Sequence, residues 1–406
     1  MKKILIYFIL LFLSSSLYLT DKFNSLGSVM ISAMVLLIVP IILLSGKSKF
    51  KANPTSLFIM GLYLLACGFS AIHNTDLSLL FSAAMLFILY IAALVIIPAM
   101  GVNVNKLVFR ALFISHLPII VIPLGLSGLN TSPYRGIFYN PNSLGSVAAT
   151  LFIAFFALYT YKLEESLANK VKFRQGVIYL IALFLLLFLI ILSGSRTSLL
   201  AVMITVLIGT FFLSVRLIKV RRFWATLLKT AVFTMIGGVF LFLLIRLTPV
   251  YTYFYNNILY KFELKLARGD VLDQRSLSWS QTIREAGLFG QGSDYFNTRT
   301  VVAAHNTFIN ILGETGWVSL IFFGIFLVYV FFAAYRYAIS DIKDKYKYLP
   351  LLMIFGFTLM SMGEVMSFKV SMLVMFFSLA STVDYKLRLP ELSENQKYDQ
   401  KLIRFQ

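Results

Sequence analysis

"VVAAHNTFINILGETGW", residues 301–317, runs directly into "VSLIFFGIFLVYVFFAAY", residues 318–335, so His305, Asn306 and Glu314 stand at the mouth of a long apolar run. That run has the length of a helix crossing a hydrocarbon core about 30 Å thick. Comparable runs recur along all 406 residues. With 59% hydrophobic and 13% charged residues and a mean hydropathy of +0.85, the chain is far from a soluble globule, where about 25% of residues are charged. The fold class that follows is an all-α polytopic integral membrane protein, because helices satisfy their own backbone in lipid.

Read between polar breaks, the apolar runs give twelve expected spans: about 4–20, 28–45, 56–72, 78–100, 107–127, 142–161, 176–193, 197–215, 227–248, 306–335, 349–366 and 370–386. The first follows a basic start, "MKK", but no small-x-small cleavage site ends it, so it reads as a retained helix. With the N-terminus cytoplasmic, the inner side receives 25 of the 36 lysines and arginines, as the positive-inside rule requires. Arg135, Arg196, Arg275, Arg284 and Lys369 are among the other eleven, most of which lie in or beside one long loop. This topology puts both termini in the cytoplasm and accounts for most of the net charge of +19 without a nucleic-acid partner. Cys67, the single cysteine, excludes an intramolecular disulfide.

The expected organisation is nine spans over 1–248, an extracytoplasmic loop over 249–305, three further spans over 306–386 and a cytoplasmic tail, 387–406. A loop of that length is usually functional or disordered. Aromatic and aliphatic residues from Tyr251 to Leu266 alternate with Lys261, Glu263, Lys265 and Arg268, the pattern of an amphipathic interfacial helix. A second short helix is expected over 274–286, followed by a turn at "GLFGQG".

On the external face this topology gathers a small set of polar groups. "SPYRGIFYNPNSLG" brings Arg135, Asn140 and Asn142 to the head of span six, and "LSGSRTSLL" puts Arg196 at the head of span eight. An arginine there either snorkels to headgroups or, with the free amides and positive dipole of a helix N-terminus, holds an anion. Arg275 reads as a solvated loop residue or as a second anion ligand, and Arg135 as a headgroup contact or a site residue. Two guanidinium forks would suit a pyrophosphate better than ammonium groups. His305 is either a cap or a general base able to accept a proton from a sugar hydroxyl; Glu314 either orients a neighbour or is structural. Metal-binding, P-loop and Rossmann patterns are missing from the sequence, so no metal or cofactor is expected and an activated substrate must supply the driving force.

Four blocks resemble the O-antigen ligase and polymerase superfamily of bacterial membrane glycosyltransferases: "FYNPNSLG" (138–145), "SGSRTSLLA" (193–201), "QRSLSWSQTIREAGLFGQGSDYF" (274–296) and "AHNTFINILGETGWVSL" (304–320). The specific part covers residues 135–320; the twelve-span layout and the loop before the His-Asn helix extend the likeness. The resemblance implies metal-independent, inverting transfer of an undecaprenyl-diphosphate-linked glycan at the outer face of the cytoplasmic membrane. It assigns the diphosphate to Arg196 and Arg275 and the base to His305, with Asn306, Asn140 and Asn142 in support. It also implies a glycan or lipid-linked acceptor, surrounding membrane lipids and, for a polymerase, a chain-length regulator as partners. A polymerase adding repeat units is favoured over a ligase, since no specialised acceptor module is evident. A transporter or flippase is the competing class, although the charges gather on one face and no two-fold repeat is visible.

Overall fold

A computed structural model describes residues 2–43, 53–97, 103–127, 133–169, 174–218, 246, 250–267, 269 and 274–382. Among them every regular element is a helix, apart from an isolated antiparallel bridge between Thr20 and Phe138. The first half contains α1 (Lys2–Leu17), α2 (Asn24–Leu43), α3 (Pro54–His73), α4 (Leu77–Ile91), α5 (Val104–Ser127), α6 (Pro141–Asn169), α7 (Arg174–Ser193) and α8 (Arg196–Ile218). The long loop supplies α9 (Val250–Phe254), a π-helical turn (Tyr255–Leu259), α10 (Tyr260–Ala267), α11 (Arg275–Glu285) and α12 (Tyr295–Thr298). Then come α13 (Thr307–Ile339), α14 (Leu349–Ser361) and α15 (Val370–Ser378).

Among the described residues, seven helices are long and apolar enough to cross a membrane: Pro54–His73, Leu77–Val95, Val104–Gly125, Pro141–Ser166, Gly176–Ser193, Arg196–Arg216 and Thr307–Ile339. Three shorter apolar helices, Asn24–Ile38, Leu349–Ser361 and Val370–Thr382, accompany them. The expected ninth span, 227–248, lies outside the described residues apart from Arg246, and so does the tail, 387–406. Outward-facing Val29, Phe58, Ile72, Leu185, Leu207 and Val328 are all more than half exposed, an apolar exterior suited to lipid rather than water.

Helix α6 is the axis of the bundle, and residues 143–160 are all buried. Small residues allow this: Gly145, Ala148, Ala149, Ala154 and Ala157 let neighbours approach its backbone. A Cβ added at Gly145 would lie 2.3 Å from Ser195 Cβ, so "NSLG" and "SGSRTS" are neighbours because one of them has no side chain there.

Two expected spans change on folding. Span eleven, expected to 366, ends at Ser361, which frees residues 362–369 as a connection to α15. Span ten is broken: Gly316 adopts φ 86°, ψ −179° inside α13, leaving a short first piece ahead of the long apolar one. Gly287 and Leu288 carbonyls take up the Trp317 and Val318 amides at 3.2 and 3.3 Å, while the Gln291 and Gly292 amides donate to Gly313 and Glu314 carbonyls at 2.8 and 3.1 Å. The "GLFGQG" turn therefore repairs the backbone that the break exposes, as a buried interruption requires.

Polar groups segregate to the two ends of the bundle. At one end, Glu164 binds Arg216, Lys347 (2.7 Å) and Tyr348 (2.9 Å), and Arg216 also reaches Asp341 (3.0 Å). At the other end meet the 18–23, 74–76, 133–140, 193–195, 274–306 and 362–369 segments, in contacts such as Tyr139 N to Leu19 O (3.1 Å), Ser293 N to Asp76 Oδ2 (2.6 Å) and Tyr134 N to Leu192 O (3.0 Å).

Candidate functional site

The turn Met362–Gly363–Glu364, just past α14, draws four separate segments together. The Asn306 side-chain amide donates to Met362 O (3.2 Å), and the Thr307 hydroxyl donates to Glu364 O (3.0 Å). Arg275 Nη1 donates to Gly363 O at 3.4 Å. A Cβ at Gly363 would lie 2.5 Å from both Thr197 Oγ1 and Thr197 Cγ2, so the residue following Arg196 packs against the same glycine. Asn142 Nδ2 donates to Glu364 Oε1 at 2.8 Å, and His305 Nδ1 faces Glu364 Oε2 at 3.8 Å.

Each contributor has a local reason for its position. Asn306 caps α13 by accepting from the Phe308 and Ile309 amides (2.8 and 3.2 Å), which fixes where the histidine before it leaves the helix. Trp279 Nε1 on α11 donates to Ala304 O (2.8 Å) and holds the strand of chain entering His305. Asn140 accepts from the Asn142 amide (2.8 Å) at the head of α6, turning Asn142 toward Glu364. Arg196 opens α8 and its side chain makes no hydrogen bond or ion pair with any described residue, and Arg275 spends one N–H on Gly363. The two guanidiniums therefore keep most of their donors for a ligand.

Among the described residues, four non-glycine residues have positive φ: Thr75 (50°), Gln274 (60°), His305 (45°) and Phe368 (54°). One is His305 itself; Gln274 and Phe368 immediately precede Arg275 and Lys369. Left-handed backbone at such residues is unfavourable and concentrates where surrounding structure holds a functional geometry.

Glu364 is 13% exposed. Burial opposes its ionisation, but the facing His305 imidazole and the Lys369 and Arg275 charges outweigh that and hold its carboxyl below the usual value. Lys369 is driven the other way: burial lowers its ammonium pKa, with Glu364 resisting. At 3.8 Å the His305–Glu364 contact is an ion-pair distance rather than a hydrogen bond.

Of the residues singled out in the sequence, the structure brings Arg275, His305, Asn306 and Asn142 onto this turn, with Arg196 one residue from it. Asn140 stands behind Asn142 as a cap. Arg135 is directed elsewhere, to Asp21 (3.3 Å) and Tyr139 O (3.2 Å), with its side chain 46% exposed. Glu314 lies on the α3 side of α13, where its backbone carbonyl takes the Ser70 hydroxyl (3.2 Å). The carboxylate beside the histidine is Glu364, which lies within the expected span eleven but beyond the end of the helix at Ser361. Its signal was an acid within an apolar run, which normally marks a site. Compared with family models and with curated proteins, the chain matches none.

Proposed function

We propose that this protein is a membrane glycosyltransferase that moves an undecaprenyl-diphosphate-linked oligosaccharide onto an acceptor hydroxyl at the outer face of the bacterial cytoplasmic membrane. In this reading it polymerises the repeat units of a surface polysaccharide, such as an O-antigen or capsule. The observation that carries it is the meeting, on residues 362–364, of a carboxylate-paired imidazole with an arginine, and of a second arginine next to the residue packed there.

The chemistry follows from that arrangement. His305 Nδ1 is turned to Glu364, which leaves Nε2 to take the proton of the acceptor hydroxyl. The acceptor oxygen bonds to the anomeric carbon as the bond from that carbon to the phosphate oxygen breaks, and the centre inverts. The electron pair departs on undecaprenyl diphosphate, whose developing charge Arg196 and Arg275 neutralise. Ionised Glu364 stabilises the imidazolium that forms, and Asn142 holds the carboxylate in place.

Twelve spans with both termini cytoplasmic complete the reading. It draws support from the sorting of basic residues and from the contacts that join described segments assigned to the outside, such as Tyr139 to Leu19, Tyr134 to Leu192 and Ser293 to Asp76. A different acceptor, such as lipid A core, would make the enzyme a ligase; the site is the same, and the acceptor consumed distinguishes the two.

The test is release of undecaprenyl diphosphate from a lipid-linked donor by protein reconstituted in lipid. Arg196→Ala, Arg275→Ala and His305→Ala are each expected to lose at least about a hundredfold in rate, the scale of removing a transition-state donor, while eluting as folded protein. Unchanged release by the three variants would refute the assignment.

A further inference from the structure

A cavity of about 440 Å³ opens beside His305 and Glu364, between α1, α2, α4 and the 362–369 connection. Its volume suits a small ligand, and neither Arg196 nor Arg275 lines it. The wall offers two things a saccharide uses. Tyr18 and Tyr139 are 36% and 44% exposed and offer aromatic faces for sugar C–H edges, while Ser32 and Ser82 add hydroxyls among apolar neighbours. His305 stands in the same wall, so a hydroxyl of a molecule held there can reach the imidazole.

Lys369 gives this cavity a charge preference. Its side chain lines the cavity and makes no hydrogen bond or ion pair within 4 Å among the described residues. Among the described residues of the wall Glu364 is the only carboxylate, and it is already engaged by Asn142 and faced by His305. Phe368, held at φ 54° with its carbonyl taken by the Ser15 hydroxyl (2.8 Å), fixes the backbone that presents the lysine. An ammonium so placed, with spare donors and no dedicated acceptor, favours an anion on the ligand.

We propose that this cavity is the acceptor subsite and that it selects an acidic saccharide, with the sugar carboxylate on Lys369 and the attacking hydroxyl on His305. The proposal rests on the glycosyl-transfer reading above. It makes the incoming end of the acceptor a uronic-acid-type residue, and it separates acceptor choice, governed by Lys369, from donor binding, governed by Arg196 and Arg275.

The experiment is binding, which needs no turnover. Full-length protein in phosphatidylcholine nanodiscs is titrated with a disaccharide ending in glucuronic acid and with its neutral glucose counterpart, followed by calorimetry. The acidic disaccharide is expected to bind about tenfold more tightly, as one charge-assisted hydrogen bond allows. The preference should vanish in Lys369→Gln, persist in Lys369→Arg and persist in Arg196→Ala. Equal binding of the two sugars, or a preference surviving in Lys369→Gln, overturns the proposal. Displacement of the acidic sugar by nanodiscs containing phosphatidylglycerol also overturns it, because Lys369 would then hold a lipid phosphate. Transfer without the preference removes this inference alone; a preference without transfer removes the glycosyltransferase reading and leaves an acidic-saccharide site.

Discussion

Glu364 gives His305 its chemical direction, since a carboxylate at one ring nitrogen favours the tautomer that leaves the other as a base. Glu364→Gln keeps the shape and removes the charge. Its transfer rate is expected to fall about a hundredfold, with donor KM changed less than about twofold, because the loss falls on the imidazolium formed in the transition state. A variant with wild-type rate would show that His305 acts without a charged partner. The same residue sets a pH effect. Its folded-state pKa is depressed, so its ionised form stabilises the fold above the ordinary carboxylate range, and that contribution fades as pH falls through the depressed value. Acid unfolding of Glu364→Gln should accordingly be less steep than that of the natural protein. The residues of this site were unevenly legible. Arg196, Arg275 and His305 stand out because a charge or an imidazole at the head of an apolar run needs a reason. Glu364 falls inside and Lys369 beside runs that read as membrane spans, because hydropathy averaged along the chain cannot see a helix that stops at Ser361.

The break in α13 turns a membrane helix into a platform for His305. Gly316 takes φ 86°, and a Cβ there would lie 2.3 Å from Leu288 O and 2.4 Å from Gly290 N. Gly316→Ala must therefore undo the docking of the 287–292 turn, at a conformational cost of roughly 1–3 kcal/mol before the clash is counted. We expect a lower thermal midpoint in detergent together with loss of transfer; an unchanged midpoint would mean the break is not required. Sequence periodicity finds the apolar run and composition finds the turn at "GLFGQG". Neither reveals that the turn plugs the break, because the pairing joins backbone amides and carbonyls whose side chains carry no mark of it. Asp76 shows the same limit: it caps α4 by accepting the Leu79 amide (3.0 Å), and it also accepts the Ser293 amide (2.6 Å), a link to the loop that nothing in the sequence marks.

Across the whole molecule, the sorting of basic residues and the separation of the two polar ends make one prediction about sidedness. Cys67 is buried, so single cysteines introduced at exposed positions report cleanly. A membrane-impermeant maleimide should label Asn297→Cys in intact cells and Lys343→Cys only after permeabilisation; the opposite pattern would invert the topology and place the site in the cytoplasm. The all-helical class with membrane-spanning helices was legible from composition, and the ends of most described helices were legible from hydropathy. What the sequence could not supply was the turn at 362–364, which lies far along the chain from the motifs it joins and becomes their meeting place only once α6 is buried at the centre. The measurement that bears most directly on this account gives the purified protein in lipid an undecaprenyl-diphosphate repeat unit as sole substrate and separates the products by size. A ladder of added repeats that disappears in His305→Ala is the predicted result; a substrate returned intact, with a second acceptor supplied or not, would contradict the account.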